Sequence, residues 1–368
     1  MDPTREATLS ESRSGPAPKV RGASEKAAAA PPSPGDGLAC GLCGGRAERY
    51  VQGAPAILRC SSCGMVALAR FPDRDEREAL YQEGYHREGT GGRFLGAFEL
   101  LVRRFRELRA RDIVRRVPGP AAVLDVGCGR GLLLEALRRR GWRVLGTQLS
   151  RTAARAAKER GVDVLCGELP ELDLPPRSFR VATFYHVLEH VDRPEAYLRK
   201  TRELLEEDGL LVVEVPNCAS LGFLVLGSRN FCVDYPNHLI FFTPRSLRDL
   251  LERAGFELEA VRHFSLEYSP FTTLQNLLNL LPGAPNRLYR ALMSNDEGRR
   301  LRRSAWTWLH AAIAAAIALP ACVLSLSSLA LPGGNTMRFY CRKRPAGPAA
   351  AAASSGGATA SHAGTGRA

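Results

Sequence analysis

Three glycines at alternate positions, placed between an apolar strand and an apolar helix, constrain this chain more than any other feature. Residues 123–131 read Val-Leu-Asp-Val-Gly-Cys-Gly-Arg-Gly, and a leucine-rich helical pattern runs from Leu132 to Gly141. A strand, a glycine turn and a helix bring backbone N–H groups to one point, and a ligand can reach them because glycine has no Cβ. The stretch therefore predicts one βα unit of a doubly wound α/β sheet, with a ligand at the carboxyl end of the strand.

The spacing of the glycines distinguishes between two kinds of ligand. A dinucleotide-binding turn has the pattern G-x-G-x-x-G and an acidic residue about 20 positions later. Here Gly127, Gly129 and Gly131 are one residue closer together, and Asp125 lies inside the strand itself. A carboxylate beside the turn suits a cationic ligand group and suits a pyrophosphate badly. An ordinary tight turn in another doubly wound protein is the alternative that these residues leave open.

At this turn the sequence closely resembles the first motif of the class I S-adenosylmethionine-dependent methyltransferases. The resemblance implies a mostly parallel seven-stranded Rossmann-like sheet and S-adenosylmethionine as the cofactor. The residues that it places against the cofactor follow successive strands, and they are Asp125, Gly127, Cys128, Gly129, Gly131, Gln148, Leu149, Glu168, Leu169 and His186.

Two residues depart from the family pattern. The second strand of these enzymes usually ends in an acid that accepts hydrogen bonds from both ribose hydroxyls, whereas this chain has Gln148. An amide oxygen can accept one such bond without a charge, so we expect a weaker ribose contact. Arg180 stands where the family usually has Asp. Glu168 and Leu169 are expected at the adenine edge, with a solvated loop acid as the alternative for Glu168.

Residues 186–191, His-Val-Leu-Glu-His-Val, resemble the branch of the family that includes ubiquinone-type and other small-molecule methyltransferases. The carboxyl end of this fourth strand is where ligands bind in an open α/β sheet. We therefore take His186 and His190 as catalytic candidates, together with His238, which follows the fifth strand. His238 could act as a general base near neutral pH. A structural role is the alternative for His190 and His238.

Two C-x-x-C pairs near the N-terminus predict a metal site. Cys40 and Cys43 form the first pair, Cys60 and Cys63 form the second, and each pair is followed by glycine. Four thiolates suit a tetrahedral zinc ion, and a closed four-cysteine site leaves no position for catalysis. The pattern therefore predicts a zinc ribbon with structural Zn²⁺. A redox dithiol or unconnected cysteines are the alternatives.

An apolar stretch separates the predicted sixth and seventh strands of the sheet. Residues 305–332 contain no Asp, Glu, Lys or Arg, and they follow a basic run at 299–303. A single span would place the seventh strand, 336–342, across the bilayer from its sheet. Pro320 divides the stretch into halves too short to cross. We therefore expect a helical hairpin that dips into one leaflet, with the arginines against anionic head groups. The alternative is a buried hairpin over the core or in a dimer interface.

The expected organisation has five parts. Disordered tails occupy 1–37 and 344–368, and between them lie the zinc ribbon at 38–70, a helical connector at 71–118, and the methyltransferase domain at 119–343 with the apolar insertion 269–332. In the connector, Tyr81, Tyr85 and His86 resemble an entry segment of the family, and Leu101, Phe105 and Leu108 predict the inner face of a helix.

Charge and composition limit the partners. The net charge of +13 comes from arginines spread over several helices. The positive charge is therefore compatible with a nucleic-acid partner but does not indicate one, and it is equally compatible with an anionic membrane surface. Residues 1–34 lack the apolar core of a secretory signal, which predicts a cytoplasmic protein.

The resemblance implies methyl transfer to a small-molecule acceptor. The expected membrane contact of 299–332 also favours a lipid-linked acceptor at the cytoplasmic face of a membrane. One alternative is an RNA methyltransferase that grips its substrate with the ribbon. Another is a scaffold that has lost activity, which Gln148 and Arg180 leave open. The sequence identifies neither the acceptor nor whether an oxygen, a nitrogen or a carbon atom is methylated.

Overall fold

The computed structural model describes residues 38–40, 43–51, 56–72, 76, 96–293, 295–329 and 333–345. Nearly all of the two predicted tails lies outside these residues. So do Tyr81, Tyr85 and His86 of the connector, whose resemblance to an entry segment of the family stays a prediction.

Twelve strands are present in the described chain. The first four belong to the N-terminal segment, and they are β1 (Leu38–Ala39), β2 (Arg46–Val51), β3 (Ile57–Cys60) and β4 (Val66–Leu68). The other eight are β5 (Ala122–Val126), β6 (Arg143–Gln148), β7 (Asp163–Cys166), β8 (Phe179–Tyr185), β9 (Leu205–Pro216), β10 (Ile240–Phe241), β11 (Phe256–Arg262) and β12 (Thr336–Lys343).

Ten α-helices connect or cover these strands in the described residues. They are α1 (Gly96–Arg116), α2 (Leu132–Arg138), α3 (Arg151–Lys158), α4 (Pro194–Leu204), α5 (Leu221–Leu226), α6 (Pro244–Arg253), α7 (Ser269–Leu278), α8 (Arg287–Leu292), α9 (Asp296–Arg302) and α10 (Ala305–Leu326).

The central sheet has the strand order β11-β12-β9-β8-β5-β6-β7. Strands β5 to β9 pair in parallel, whereas β12 runs antiparallel to both β9 and β11. The predicted mostly parallel seven-stranded sheet is confirmed, and so is the seventh strand near 336–342. The carboxyl ends of β5, β6, β7, β8 and β9 meet at one edge of this sheet.

Alternating side chains of the strands pack on both faces of the sheet. On β5, Val123 belongs to one buried cluster, whereas Leu124 and Val126 belong to another. Successive residues of a strand point to opposite faces, so both faces must be covered by helices or by the N-terminal segment. This two-sided burial explains why the strands read as continuous apolar runs.

The N-terminal segment shares a sheet with the rest of the chain. Strands β1 to β4 form an antiparallel sheet whose last neighbour is β10, and Leu68 N–H donates a 2.9 Å hydrogen bond to the carbonyl of Leu239. Ile57, Val66 and Leu68 lie in the same buried cluster as residues of the central sheet. The ribbon is therefore packed onto the segment that carries His238.

The predicted helical hairpin is wrong, because one helix, α10, continues through Pro320. Proline removes a single intrahelical N–H and costs about 3 kcal/mol in a helix interior, so packing can outweigh it. Helix α10 packs against α7 and α8.

This helix is long and apolar enough to cross a bilayer by length and composition alone. Only 22% of its most apolar window is buried. One such helix is weak evidence for a membrane span. Its chain neighbours are α9, which contacts it, and β12, which lies inside the central sheet.

Helix α1 does not present the face that its apolar spacing predicts. Leu101 and Leu108 are each 43% exposed, whereas Arg109, Ala110 and Ile113 are buried. Arg109 is drawn inward because it pairs with buried carboxylates, which the hydrophobic spacing alone does not reveal.

Candidate active site

The glycine turn connects β5 to α2 with all three glycines at positive φ. A Cβ on Gly127 would lie 2.6 Å from Cγ2 of Val187, so this position is sterically restricted to glycine. A Cβ on Gly129 would meet nothing within 4 Å, which leaves open space above the backbone of the turn. An open backbone cradle at this edge of the sheet fits the adenosyl cofactor that the motif implies.

Asp125 is buried at the end of β5, next to this turn. Thr183 of β8 donates a 2.6 Å hydrogen bond to its Oδ1. Burial raises the pKa of Asp125 to about 6, against the opposing effects of Thr183, Arg109 and Arg106. A carboxyl group with this pKa carries its charge at neutral pH and gains further from a neighbouring cation.

Cys128 shapes the turn with its backbone. Its N–H donates to the carbonyl of Thr147 at 3.0 Å, and its carbonyl accepts from Gly131 N–H at 3.0 Å. Its thiol points at β6, because a Cβ on Gly146 would lie 2.4 Å from the sulfur. Burial raises the pKa of this thiol above its ordinary value, so the thiol stays neutral.

Gln148 ends β6 with its side chain turned back onto the chain. Its Oε1 accepts a 2.8 Å hydrogen bond from Leu149 N–H and a longer one, 3.4 Å, from Ser150 N–H. The oxygen expected to receive a ribose hydroxyl is therefore already bonded, and the NH₂ group is left to donate to a ribose oxygen instead. Ser150 caps α3 by accepting from Ala153 N–H.

The residues expected at the adenine edge lie in different surroundings. The Glu168 carboxylate is partly buried and stands 3.8 Å from the Arg193 guanidinium. Leu169 is fully buried in the main core, whereas Leu149 is 38% exposed. Leu149, predicted as a cofactor contact beside Gln148, therefore presents a more open apolar surface for a flat ring than Leu169 does.

His186 lies between two buried carboxylates at the end of β8, with a positive φ of 58°. Its Nδ1 is 3.1 Å from Glu189 Oε1, and its Nε2 is 3.4 Å from Glu214 Oε1 without hydrogen-bond alignment. Burial alone would lower its pKa, but Tyr268, Glu189 and Glu214 hold the pKa of His186 well above its ordinary value. These contacts favour the protonated form of the ring.

A buried charge cluster extends from His186 into the fold, and the sequence did not single it out. Glu214 of β9 accepts from Arg109 at 2.6 Å and from Arg338 at 2.5 Å, and Glu267 also pairs with Arg109 at 2.9 Å. These arginines overcome the effect of burial and hold the pKa of Glu214 well below its ordinary value. The Arg109 guanidinium stacks 4.0 Å from the Tyr185 ring centroid. The available signal was a single acid inside the apolar run 210–215.

The other two candidate histidines meet at the rim of this region. The rings of His190 and His238 are 4.6 Å apart and edge-to-face. Burial, together with His238, lowers the pKa of His190 to about 4, so this imidazole is neutral. The structure therefore joins His190 to His238, with Glu189 linking them to His186.

The four N-terminal cysteines also come together. Their sulfur atoms all lie within 4.8 Å of one another, with Cys40 and Cys63 at 3.8 Å and Cys43 and Cys60 at 3.6 Å. Tetrahedral zinc with Zn–S bonds of about 2.3 Å separates sulfurs by roughly 3.8 Å. The cluster is compatible with the predicted zinc ribbon.

Arg180 lies at the start of β8, at the opposite end of the strand from the ligand edge of the sheet. Its guanidinium donates 2.9 Å to the carbonyl of Glu207 and lies 3.4 Å from Asp208. The departure at Arg180 therefore concerns the amino end of the sheet and not the ligand edge.

Comparison with known proteins agrees with this architecture. A family model described as a methyltransferase domain matches residues 102–261. Ubiquinone biosynthesis O-methyltransferase of Ralstonia nicotianae is 33% identical over 163 residues, which cover 41% of this chain and 68% of that protein. The protein of the same name from Xanthomonas euvesicatoria is 34% identical over 154 residues, or 38% of this chain and 64% of that protein.

One solved structure similar to this chain is a Burkholderia thailandensis 1,6-didemethyltoxoflavin-N1-methyltransferase with 1,6-didemethyltoxoflavin and S-adenosylhomocysteine bound. The TM-score is 0.43 at 17% identity, over 76% of this chain and 96% of that one.

The seven-stranded sheet carries a glycine turn after β5, and the family model described as a methyltransferase domain matches this part of the chain. The chain belongs to the class I S-adenosylmethionine-dependent methyltransferase family. It is an enzyme that uses S-adenosylmethionine.

Proposed function

We propose that this enzyme methylates an oxygen of a small, hydrophobic acceptor that approaches the carboxyl edge of the central sheet from a membrane surface. The observation that carries the acceptor class is the similarity to O-methyltransferases named for ubiquinone biosynthesis. Those relatives favour neither an RNA acceptor nor a scaffold without activity.

In this proposal the cofactor lies over Gly129, with Asp125 facing its positive charge. The open space above Gly129 and the buried carboxylate beside it support this placement. Leu149 would pack against the adenine, and the NH₂ of Gln148 would donate to the ribose. When bound, S-adenosylmethionine supplies an electrophilic methyl group. The residues of this chain contribute orientation and exclusion of water.

An oxygen acceptor needs its proton removed, and the histidines differ in their fitness for that task. Glu189 and Glu214 favour the protonated form of His186, and a protonated imidazole has no lone pair to offer. His190 and His238 lie together nearer the surface. We assign the role of general base to this pair and that of positioning residue to His186.

The cysteine cluster is proposed to hold structural Zn²⁺. Its sulfur spacing supports this assignment, and so does the positive φ of Gly44 and Gly64, the glycines that close the two knuckles. Because β4 pairs with β10, the zinc ribbon would fix the segment that carries His238.

The membrane contact is proposed from exposed apolar side chains on two helices that both contact α7. Trp308, Leu319 and Val323 of α10 are exposed, as are Leu221 and Leu224 of α5. Large exposed apolar patches on a protein surface usually mark an interaction site.

The arginines before α10 divide into two groups. Arg300 and Arg303 are exposed, whereas Arg302 donates to the carbonyls of Ala291 and Met293. Only the exposed arginines are available to anionic head groups. Arg302, which the sequence also predicted to contact them, is instead bonded inside the fold.

The acceptor is tested with methyl-labelled S-adenosylmethionine and the purified full chain. Parallel reactions contain a lipid extract, an aqueous metabolite extract, or RNA. Label in an organic-soluble product from the lipid extract supports the proposal. Label confined to RNA, or to polar metabolites, contradicts it.

The membrane surface is tested by flotation with vesicles of phosphatidylglycerol and phosphatidylcholine. We expect the full chain to float and Leu319→Lys to stay at the bottom. Leu100→Lys, on an exposed leucine of α1, is the matched control and should float. Equal sedimentation of the unsubstituted chain with and without vesicles contradicts the membrane contact.

A further inference from the structure

We propose that Glu189, His190 and His238 form a binding site for a divalent transition-metal ion of the zinc type, separate from the cysteine cluster. One ligand atom from each of the three residues lies within 4.8 Å of the others. This group stands at the ligand edge of the sheet, since Val187, two residues before Glu189, packs against Gly127.

Both imidazoles keep a nitrogen lone pair that a metal could bind. His190 Nδ1 lies 3.0 Å from the carbonyl of Asn237, and His238 Nδ1 lies 2.7 Å from the carbonyl of Cys232. A carbonyl only accepts, so each Nδ1 carries the proton and each Nε2 keeps its lone pair. Metal-bound histidines are oriented in this way, with the second ring nitrogen donating to a backbone carbonyl.

The two carboxylate oxygens of Glu189 have different surroundings. Glu189 is 1% exposed, and its Oε1 faces Nδ1 of His186 at 3.1 Å. Its Oε2 is buried with no hydrogen-bond partner within the part of the chain that the structure describes. A buried carboxylate oxygen without a partner is costly, and a cation between it and the two imidazoles would satisfy it.

The two chain segments that carry the ligands are fixed to each other. Leu239 N–H donates a 2.7 Å hydrogen bond to the carbonyl of Glu189, and the His190 ring reaches back to Asn237. The ligands on either side of this link are therefore held close before any ion arrives. His186 orients Glu189 from behind, as a positioning residue.

The ligand set suits a particular class of ion. Two imidazoles and one carboxylate are typical of catalytic zinc and of open mononuclear iron sites, and poor for Ca²⁺ or Mg²⁺. Three protein ligands leave coordination positions open. An acceptor oxygen bound there would be more acidic and would release its proton to water, because both Nε2 lone pairs would be held by the ion. Metal binding and the general-base role of the histidine pair are therefore alternatives. This acceptor role rests on the proposed function, whereas the binding of the ion does not.

The test is a titration of the metal-free full chain with Co²⁺, followed by elemental analysis after reloading with Zn²⁺. Thiolate sites give intense charge-transfer bands with Co²⁺, whereas a nitrogen and oxygen site gives only weak d–d bands. We expect two ions per chain, one of each spectral kind. Glu189→Gln, His190→Ala and His238→Ala should each weaken the second ion at least about tenfold and leave the first in place.

The retained thiolate signal shows that each variant is folded, because the ribbon pairs with the segment carrying His238. His263→Ala, on a histidine outside the site, is the matched control and should bind two ions. Only a thiolate-bound ion in the unsubstituted chain, or two ions at unchanged affinity in the three variants, overturns the proposal. Binding of S-adenosylhomocysteine, measured on the same samples, reports separately on the cofactor site.

Discussion

The hydroxyl of Thr183 donates a 2.6 Å hydrogen bond to Asp125, joining the ends of β8 and β5 beneath the glycine turn. Burial nevertheless raises the pKa of this carboxyl to about 6. A cationic cofactor binds best when Asp125 is ionised, so we expect the affinity for S-adenosylmethionine to rise as the pH increases through about 6 and then to level off. Titration calorimetry at several pH values measures this.

The variant Asp125→Asn should bind S-adenosylmethionine more weakly at pH 7.5 and show a flatter pH dependence. Thr183→Val is a useful companion, because it removes the hydrogen bond and should move the midpoint to higher pH. An unchanged pH profile in Asp125→Asn contradicts the role assigned to the carboxylate.

The same pKa has a consequence for stability in the absence of cofactor. The folded-state pKa of Asp125 lies above the ordinary 3.8, so the folded state holds its proton more tightly than the unfolded state. This contribution to stability is complete below pH 3.8 and is lost as the pH rises through about 6. We expect Asp125→Asn to gain stability relative to the unsubstituted chain over this window, by up to about 3 kcal/mol. Urea unfolding at pH 4.5 and pH 7 gives the comparison.

The turn itself can be probed by comparing Gly129 with a glycine outside the turn. Gly129 and Gly119 both have positive φ, and a Cβ on either would meet nothing within 4 Å. We expect each alanine substitution to cost about 1–2 kcal/mol of stability through backbone strain. Only Gly129→Ala should also weaken binding of S-adenosylhomocysteine, since Gly119 lies before β5, at the opposite end of that strand. Equal affinity in the two variants would place the cofactor elsewhere.

Glu214 and Glu259 each pair with two arginines, one carboxylate in the core and the other at the surface. Glu214 is fully buried against Arg109 and Arg338, whereas the Glu259 side chain is 36% exposed beside Arg116 and Arg342. We expect Glu214→Gln to cost roughly 3–5 kcal/mol, because buried guanidinium groups lose their counter-charge. Glu259→Gln should cost less than about 1 kcal/mol. Similar losses in the free energy of unfolding of the two variants, measured with denaturant, would show that burial does not strengthen the ion pairs.

The ribbon prediction is tested with matched cysteines. Cys43→Ser should lose the zinc ion and weaken the protection of β10 amides against hydrogen exchange, because β4 pairs with β10. Cys322→Ser, at an exposed cysteine of α10, should change neither. Full protection of β10 in zinc-free Cys43→Ser would mean that the metal does not hold this sheet.

The glycine turn, the sheet and the paired cysteines were predictable because each depends on neighbours in sequence. The apolar side chains of strand residues such as Val123 and Leu124 indicate that these residues are buried. Glycine at position 127 indicates that a larger residue would not fit there. Caps at Ser150 and Thr243 follow from local side-chain chemistry in the same way.

What the sequence did not reveal depends on distant partners. Arg109 lies inward because Glu214, 105 positions later, accepts its hydrogen bond. Pro320 fails to end α10 because other helices pack against it. Gln148 is the exception, because its oxygen accepts from the adjacent N–H of Leu149, a local contact that the residue type alone does not predict.

The most direct test of the central claim is a calorimetric titration of the purified, zinc-loaded full chain with S-adenosylhomocysteine. The structure predicts one bound molecule per chain, with weaker binding in Gly129→Ala than in Gly119→Ala. A folded chain that takes up no S-adenosylhomocysteine, or that binds it equally in both variants, would contradict a cofactor seated on the glycine turn.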